Sequence, residues 1–217
     1  MGLEGESIGV VMDWEINGIR GRGDVPKCAG NQKGLAVVMA TGRCVWDDLT
    51  YKFSVEGNHA SVIAVNNMIL HWKGRVHHGV SMHPEEPGLW RALRRYYQGE
   101  ESHVHTHGYR KHNKTELQEV DYVWDIPRAK GGTSSLLAVY IGLALGFSRI
   151  VLCGVPMDGT GHFYDAPNAE VRVFGSDFLK TEWMRSIRED FRGRVRSVSG
   201  RTKDWLGEPD AAWLKGA

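Results

Sequence analysis

Two short stretches have the residue types that hold a phosphate. Gly131-Gly-Thr-Ser-Ser135 and Ala40-Thr-Gly-Arg-Cys44 each follow or precede an apolar run and combine glycine with hydroxyl side chains. In the first, Gly131 and Gly132 permit close backbone approach, while Thr133, Ser134 and Ser135 offer hydroxyls where a helix begins. Unpaired N–H groups at such a start favour an anion. In the second, Thr41 and Gly42 form a turn and Arg43 could set a guanidinium on the same anion. The same residues also serve as ordinary helix caps and turn formers. Neither stretch is a G-x-G-x-x-G fingerprint or a G-K-[ST] phosphate loop.

Three further loops carry polar groups. Asn66-Asn67 closes an apolar run, where an amide can read a base or ribose edge or simply form a turn. His83, before Pro84, can contact a phosphate, act as an acid or base, or cap a strand. Pro156 to Tyr164 is polar and glycine-bearing. His103, His105 and His107 lie two apart, so a strand would place all three on one face. Three imidazoles can hold zinc or copper. No carboxylate shares the motif, however, and an edge strand carries polar residues in this way, so no metal is assigned. Arg185, Arg188, Arg192, Arg194, Arg196, Arg201 and Lys203 are interrupted by Glu189, Asp190 and Asp204. They read as a solvated face, with a phosphate patch for an acceptor as the alternative.

The elements that must position these loops alternate between strand and helix. Leu35 to Thr41, Ser61 to Asn66 and Arg149 to Val155 are continuous apolar runs, the pattern of strands buried on both faces. Arg75 to Met82 and Asp121 to Ile126 are further strands, and Ser102 to Tyr109 alternates like an exposed or edge strand. Helices are predicted over Val45 to Phe53, Pro87 to Gln98 and Asp177 to Phe191. In the second, Leu89, Trp90, Leu93 and Tyr97 face inward and Arg91, Arg94 and Arg95 outward. Between them, Gly131 to Gly146 has a Gly/Thr/Ser start, an apolar helix and a glycine stop. A last strand spans Arg194 to Val198 and a tail follows.

This order implies βαβ units with right-handed crossovers. The expectation is one α/β domain over 35–217, a doubly wound, mostly parallel sheet with helices on both faces. Residues 1–34, rich in glycine, are read as a loosely structured lead-in with a short hairpin near Ile8 to Ile19. In such a sheet ligands bind beyond the carboxyl ends of the strands, where strand order reverses. That rule selects the loops already named.

The 217 residues carry 27 Lys+Arg and 26 Asp+Glu, so no global field holds a polyanion. The 27 glycines exceed the ordinary share of about 7%. Cys28, Cys44 and Cys153 are odd in number and lack C-x-x-C spacing, which argues for reduced thiols and a cytoplasmic protein. No window reaches the ~20 apolar residues of a spanning helix. Met1 to Asp13 lacks the features of a signal peptide, so no membrane partner is expected.

The segment Gly132 to Val155 resembles the helix–strand unit of bacterial CMP-sialic acid-dependent sialyltransferases. It also resembles the related Rossmann-like group of 6-hydroxymethylpterin diphosphokinases and flagellin-glycosylation proteins. The likeness lies in a hydroxyl-rich start, an apolar helix ending Leu145-Gly-Phe147, and a strand reading Ile150-Val-Leu-Cys-Gly154. Met39-Ala-Thr-Gly-Arg-Cys44 and Asn66 fall where those proteins carry their first two nucleotide loops. The likeness runs over roughly 35–200.

It implies a nucleotide site formed by Thr41, Gly42, Arg43, Asn66, Thr133, Ser134 and Ser135, with His83 and Gly132 beside it. It also implies that Tyr164 assists the leaving phosphate. The chain departs from the family in three places. Ala-Thr-Gly-Arg replaces G-N-G, Asp158 replaces a second loop tyrosine, and the family's base histidine has no counterpart in Gly175-Ser-Asp-Phe178. Asp158 or His162 would then take the acceptor's proton.

The expected activity is transfer from a nucleotide-activated donor, a nucleotide sugar, to a hydroxyl acceptor. The acceptor class is open and includes modified nucleic acid. The alternatives are an ATP- and Mg²⁺-dependent diphosphokinase, with Asp158 and Asp165 as metal-side carboxylates, and a non-catalytic nucleotide-binding protein.

Overall fold

A computed structural model describes residues 13–56, 60–99, 104–109, 120–130, 132–167, 177–191 and 193–216. The chain opens with a hairpin of β1 (Asp13–Ile16) and β2 (Ile19–Arg22). Its two-residue turn, Asn17-Gly18, has φ of 52° and 79°, the handedness that matches the twist of flanking strands. The hairpin's Trp14 packs edge-on against Trp124 at 6.0 Å. Residue 21 must be glycine, because a Cβ there would lie 2.0 Å from the Trp14 ring. Backbone bonds from Gly30 to Ala144 O and from Gln32 to Leu145 O fasten the rest of the segment. Residues 13–34, expected to be loosely structured, are thus tied to Ala144, Leu145 and Trp124, and the hairpin runs on past Ile19 to Arg22. The part of it expected over residues 8–12 lies outside the described residues.

The sheet consists of β3 (Leu35–Met39), β4 (Ser61–Val65), β5 (His78–Ser81), β6 (His105–Tyr109), β7 (Tyr122–Trp124), β8 (Arg149–Cys153) and β9 (Val195–Ser197). All seven strands are parallel, in the order β7-β6-β5-β4-β3-β8-β9. The chain builds outward from β3 to β7 and then returns to the other side of β3. The order reverses between β3 and β8.

Strand residues alternate between two cores. Val37, Met39, Val62, Ala64, Val151 and Cys153 join Val45 and Leu49 of α1 (Val45–Glu56), Met68 and Ile69 of α2 (Met68–His71), and Leu214 near the carboxyl terminus. Ala36, Val38, Ile63, Val65, Ile150 and Leu152 join the apolar side chains between Leu136 and Leu145. This is the two-sided burial expected of continuous apolar strands.

The remaining helices are α3 (Pro87–Gln98), α4 (Ser134–Leu145) and α5 (Asp177–Ser186), the last continued by a wide turn over Ile187–Phe191. The predicted tail holds two more, α6 (Gly200–Leu206) and α7 (Ala211–Lys215). All 12 residues of α4 are buried. Its start is capped by Thr133, which accepts from Leu136 N at 3.1 Å, and Gly146 ends it at φ 114°.

Three expectations are corrected. The strand near Ser102 to Tyr109 is not an edge: β6 lies inside β7, and Thr106 and His107 are fully buried. The strand predicted from Arg75 starts only at His78. The faces of α3 are turned: Arg94 is buried, while Leu89, Tyr96 and Tyr97 are exposed. The Arg94 guanidinium donates to Ile69 O at 3.0 Å, to Gly74 O at 2.6 Å and to Trp72 O. Carbonyls left over at the end of a short helix need donors, and a fork of five N–H groups supplies them.

Candidate functional site

The site begins where β3 and β8 end. Ala40 N–H donates to Cys153 O and Gly42 N–H to Gly154 O, each at 2.9 Å, so the two loops leave the sheet bonded together. Both glycines are required by that contact. A Cβ on Gly42 would lie 2.5 Å from Gly154 O, and one on Gly154, whose φ is 72°, would lie 2.4 Å from Ala40 O. Beneath them the buried Asp48 accepts from Gly154 N and from Ser199 Oγ, both at 2.8 Å. Burial raises the Asp48 carboxyl above its usual range and pushes the neighbouring Cys44 thiol up to about 12, which leaves that thiol protonated at neutral pH.

Beyond this floor lies a cleft with about 520 Å³ of empty space, its solvent-facing mouth included. Thr41 and Gly42 line it from the β3 loop, Asn66 from the β4 loop, Thr133 to Ser135 from the start of α4, and Asp158 to His162 from the β8 loop. It stands where strand order reverses, the position at which open α/β sheets bind ligands. Among its described lining residues there is no lysine or arginine. The polar groups that line it are backbone groups, hydroxyls, the Asn66 amide, the Asp158 carboxylate and the His162 imidazole.

Each wall is fixed by identifiable bonds. Ser134 Oγ accepts from Met82 N at 3.2 Å, which ties α4 to the β5 loop. Asn66 has φ 53° and accepts from Ser81 Oγ at 3.0 Å. Asp158 accepts from Thr160 N at 3.0 Å and from its hydroxyl at 2.7 Å, closing a side-chain turn. Thr41 Oγ1 and His162 Nδ1 are 2.7 Å apart, and Asp165 Oδ2 accepts from the His162 backbone N–H at 2.7 Å. The imidazole also lies parallel to the Tyr164 ring, 5.0 Å away. These contacts fix the ring's direction at the mouth of the cleft.

Eight of the predicted site residues therefore meet: Thr41, Gly42, Asn66, Thr133, Ser134, Ser135, Asp158 and His162. Four stand outside the lining. Arg43 spends its guanidinium on carbonyls of the β8 loop, donating to Thr160 O and Ala166 O at 3.1 Å each. His83 is exposed, 3.6 Å from Glu85. Gly132 passes under Leu136, whose Cδ2 would lie 2.6 Å from a Cβ on that glycine. Tyr164 supports His162 from behind. Gly131, His103 and Arg192 lie outside the described residues.

Sequence reasoning did not single out Asp48 as a pin for the cleft floor. Its signal is an acidic residue within the apolar frame Val45-Trp-Asp-Asp-Leu49. Nor did it single out the aromatic residues around Tyr164.

The histidine motif is put to another use. Trp124 Nε1 donates to His107 Nδ1 at 3.0 Å, and His107 Nε2 lies 3.0 Å from His78 Nδ1. With Nδ1 accepting, His107 carries its proton on Nε2 and donates it to His78. Burial first, and neighbouring histidines second, lower His78 to about 4 and hold His107 well below its usual range. Both rings are neutral at neutral pH. Among the described residues no group of three or more His, Cys, Asp or Glu is placed to hold a metal ion. Among the same residues no helix is long and apolar enough to cross a membrane. Compared with known proteins, the chain matches no family model, no curated protein and no solved structure.

Proposed function

We propose that the protein is a transferase. It takes a nucleotide-activated donor, a nucleotide sugar bound as in the CMP-dependent sialyltransferases it resembles, and delivers the sugar to a hydroxyl acceptor. One observation carries this reading: the start of α4 and the His162 imidazole line a single cleft at the reversal point of the sheet. The first offers N–H groups and hydroxyls to a phosphate. The second offers a proton acceptor to an incoming hydroxyl.

In this reaction the acceptor oxygen forms a bond to the anomeric carbon as the bond from that carbon to the donor phosphate breaks. The phosphate leaves with the electron pair, and the acceptor proton passes to His162. Charge grows on the leaving phosphate, where fixed donors at Thr133 to Ser135 lower the barrier. In the tautomer whose Nδ1–H donates to Thr41 Oγ1, Nε2 is the nitrogen with the lone pair that takes the proton. Asp158, engaged with Thr160, is the second candidate for the base.

A diphosphokinase needs carboxylates to hold Mg²⁺ on its phosphates. Asp158 and Asp165 are both closed into turns of the β8 loop, so this reading is the weaker of the two.

A thermal-shift series with CMP, UDP, GDP, ATP and their sugar conjugates tests the proposal. A ligand held at about 100 times its Kd adds roughly 2.7 kcal/mol of stability. In a domain of this size that raises Tm by about 5–10 °C. The expected result is stabilisation by a pyrimidine nucleotide without Mg²⁺. Stabilisation by ATP alone, and only with Mg²⁺, would favour phosphoryl transfer.

A further inference from the structure

Next to the cleft the surface carries an unusual concentration of aromatic rings. Trp46, the second residue of α1, is 41% exposed, and Tyr164 is 48% exposed. Phe163 joins them: its ring meets Trp46 edge-on at 5.4 Å and Tyr164 at 5.1 Å. His71 of α2 backs the group, 5.2 Å from Phe163 and 6.1 Å from Tyr164. The shelf is anchored to the cleft by backbone, since Phe163 N–H donates to Thr41 O at 2.9 Å. It is joined to the cleft by a side chain as well, because Tyr164 stacks on His162.

We infer that this shelf is the acceptor subsite and that it binds a neutral saccharide through the apolar face of a pyranose ring. The inference rests on the transferase reading above and supplies its missing half. A base must reach the acceptor hydroxyl within hydrogen-bond distance. His162 is the residue shared by cleft and shelf, so an acceptor lying on Trp46 and Tyr164 is brought beside the imidazole.

Charge selects the class of acceptor. The shelf is flanked by the exposed Asp47 and by Asp165. The guanidinium closest in sequence, that of Arg43, is engaged with Thr160 O, Asp165 O and Ala166 O. Nucleic-acid sites combine aromatic platforms with cations along the backbone, whereas on this shelf the residues that follow Trp46 and Tyr164 in the chain are Asp47 and Asp165. Carboxylates beside an aromatic face suit a ring of hydroxyl donors.

Ligand-observed saturation-transfer NMR tests this. The probes are methyl glycosides of glucose, galactose and N-acetylglucosamine, with a short oligothymidylate as the competing class. The proteins are the wild type, Trp46→Ala and Trp46→Phe. At least one glycoside should take saturation on its ring protons. Its binding should weaken about three- to tenfold in Trp46→Ala, the value of one aromatic contact, and persist in Trp46→Phe. Glycoside binding that is absent, or equal in wild type and Trp46→Ala, overturns the inference. So does oligothymidylate binding that depends on Trp46.

The CMP thermal shift, measured on the same samples, should be the same in wild type and both variants, which also confirms that the variants are folded. A CMP shift without glycoside binding sinks the shelf alone. Trp46-dependent glycoside binding without a shift by any nucleotide or nucleotide sugar of the series supports the saccharide site and sinks the transferase reading.

Discussion

His162 is where the separate requirements of the site meet. Its backbone is held by Asp165, its ring nitrogen by Thr41 and its ring face by Tyr164. Three restraints on one imidazole suit a proton acceptor that must not rotate away. Replacing it with glutamine should slow transfer by about 10²–10⁴-fold and leave nucleotide affinity little changed, as read from initial rates of donor consumption. An unchanged rate would move the base to Asp158. Gly154 makes a different demand, for space. Alanine there would have to hold a left-handed φ, at a cost of roughly 1–3 kcal/mol, and push against Ala40 O. A lowered urea midpoint is expected, and an unchanged midpoint would mean the β3 and β8 loops are not locked as described.

The elements differ in how much of them the sequence discloses, and the reason is locality. The strands β3 and β8 and the helix α4 are legible because their signals lie within the segment: unbroken apolar runs, a Thr133 cap, a Gly146 stop. The face of α3 is not, because the carbonyls that draw Arg94 inward belong to residues 69–74, some 20 positions earlier. The histidines of β6 mislead for a similar reason. Alternating polar residues read as an edge strand until His78 on β5 and Trp124 on β7 are known to bond to His107.

That relay has a consequence in acid. The folded pKa of His78, about 4, lies below the ordinary 6.5, so unfolding takes up a proton. The stabilisation is complete above 6.5 and is lost as pH falls toward 4, amounting to roughly 3 kcal/mol for this one ring. Urea unfolding at neutral and acid pH should show this slope. His78→Gln should be less stable at pH 7 yet depend on pH more weakly; equal slopes would place the acid sensitivity elsewhere.

At the scale of the molecule, a near-neutral chain with no lysine or arginine among the described residues that line its cleft fits the proposed small nucleotide better than a polyanion. The loops around that cleft are legible in the sequence because most follow an apolar strand, and right-handed crossovers bring the carboxyl ends of parallel strands to one edge of the sheet. Where the order reverses is not legible, since it depends on which strands pair. What lies beside the cleft, the aromatic shelf and the buried Asp48 pin, depends on contacts between α1 and the β8 loop that no local pattern announces.

The central claim is that the cleft between β3 and β8 holds a nucleotide phosphate against the start of α4. Calorimetric titration of CMP into the wild type and Ser135→Glu tests it most directly. Ser135 is buried and lines the cleft, so a carboxylate there occupies the space of the phosphate and faces it with like charge, while the start of the helix offsets part of its burial cost. The expected result is binding by the wild type and at least about tenfold weaker binding by Ser135→Glu, a difference of roughly 1.4 kcal/mol, with a cooperative thermal transition showing that the variant is folded. Equal binding by both proteins, or none by either, would contradict it.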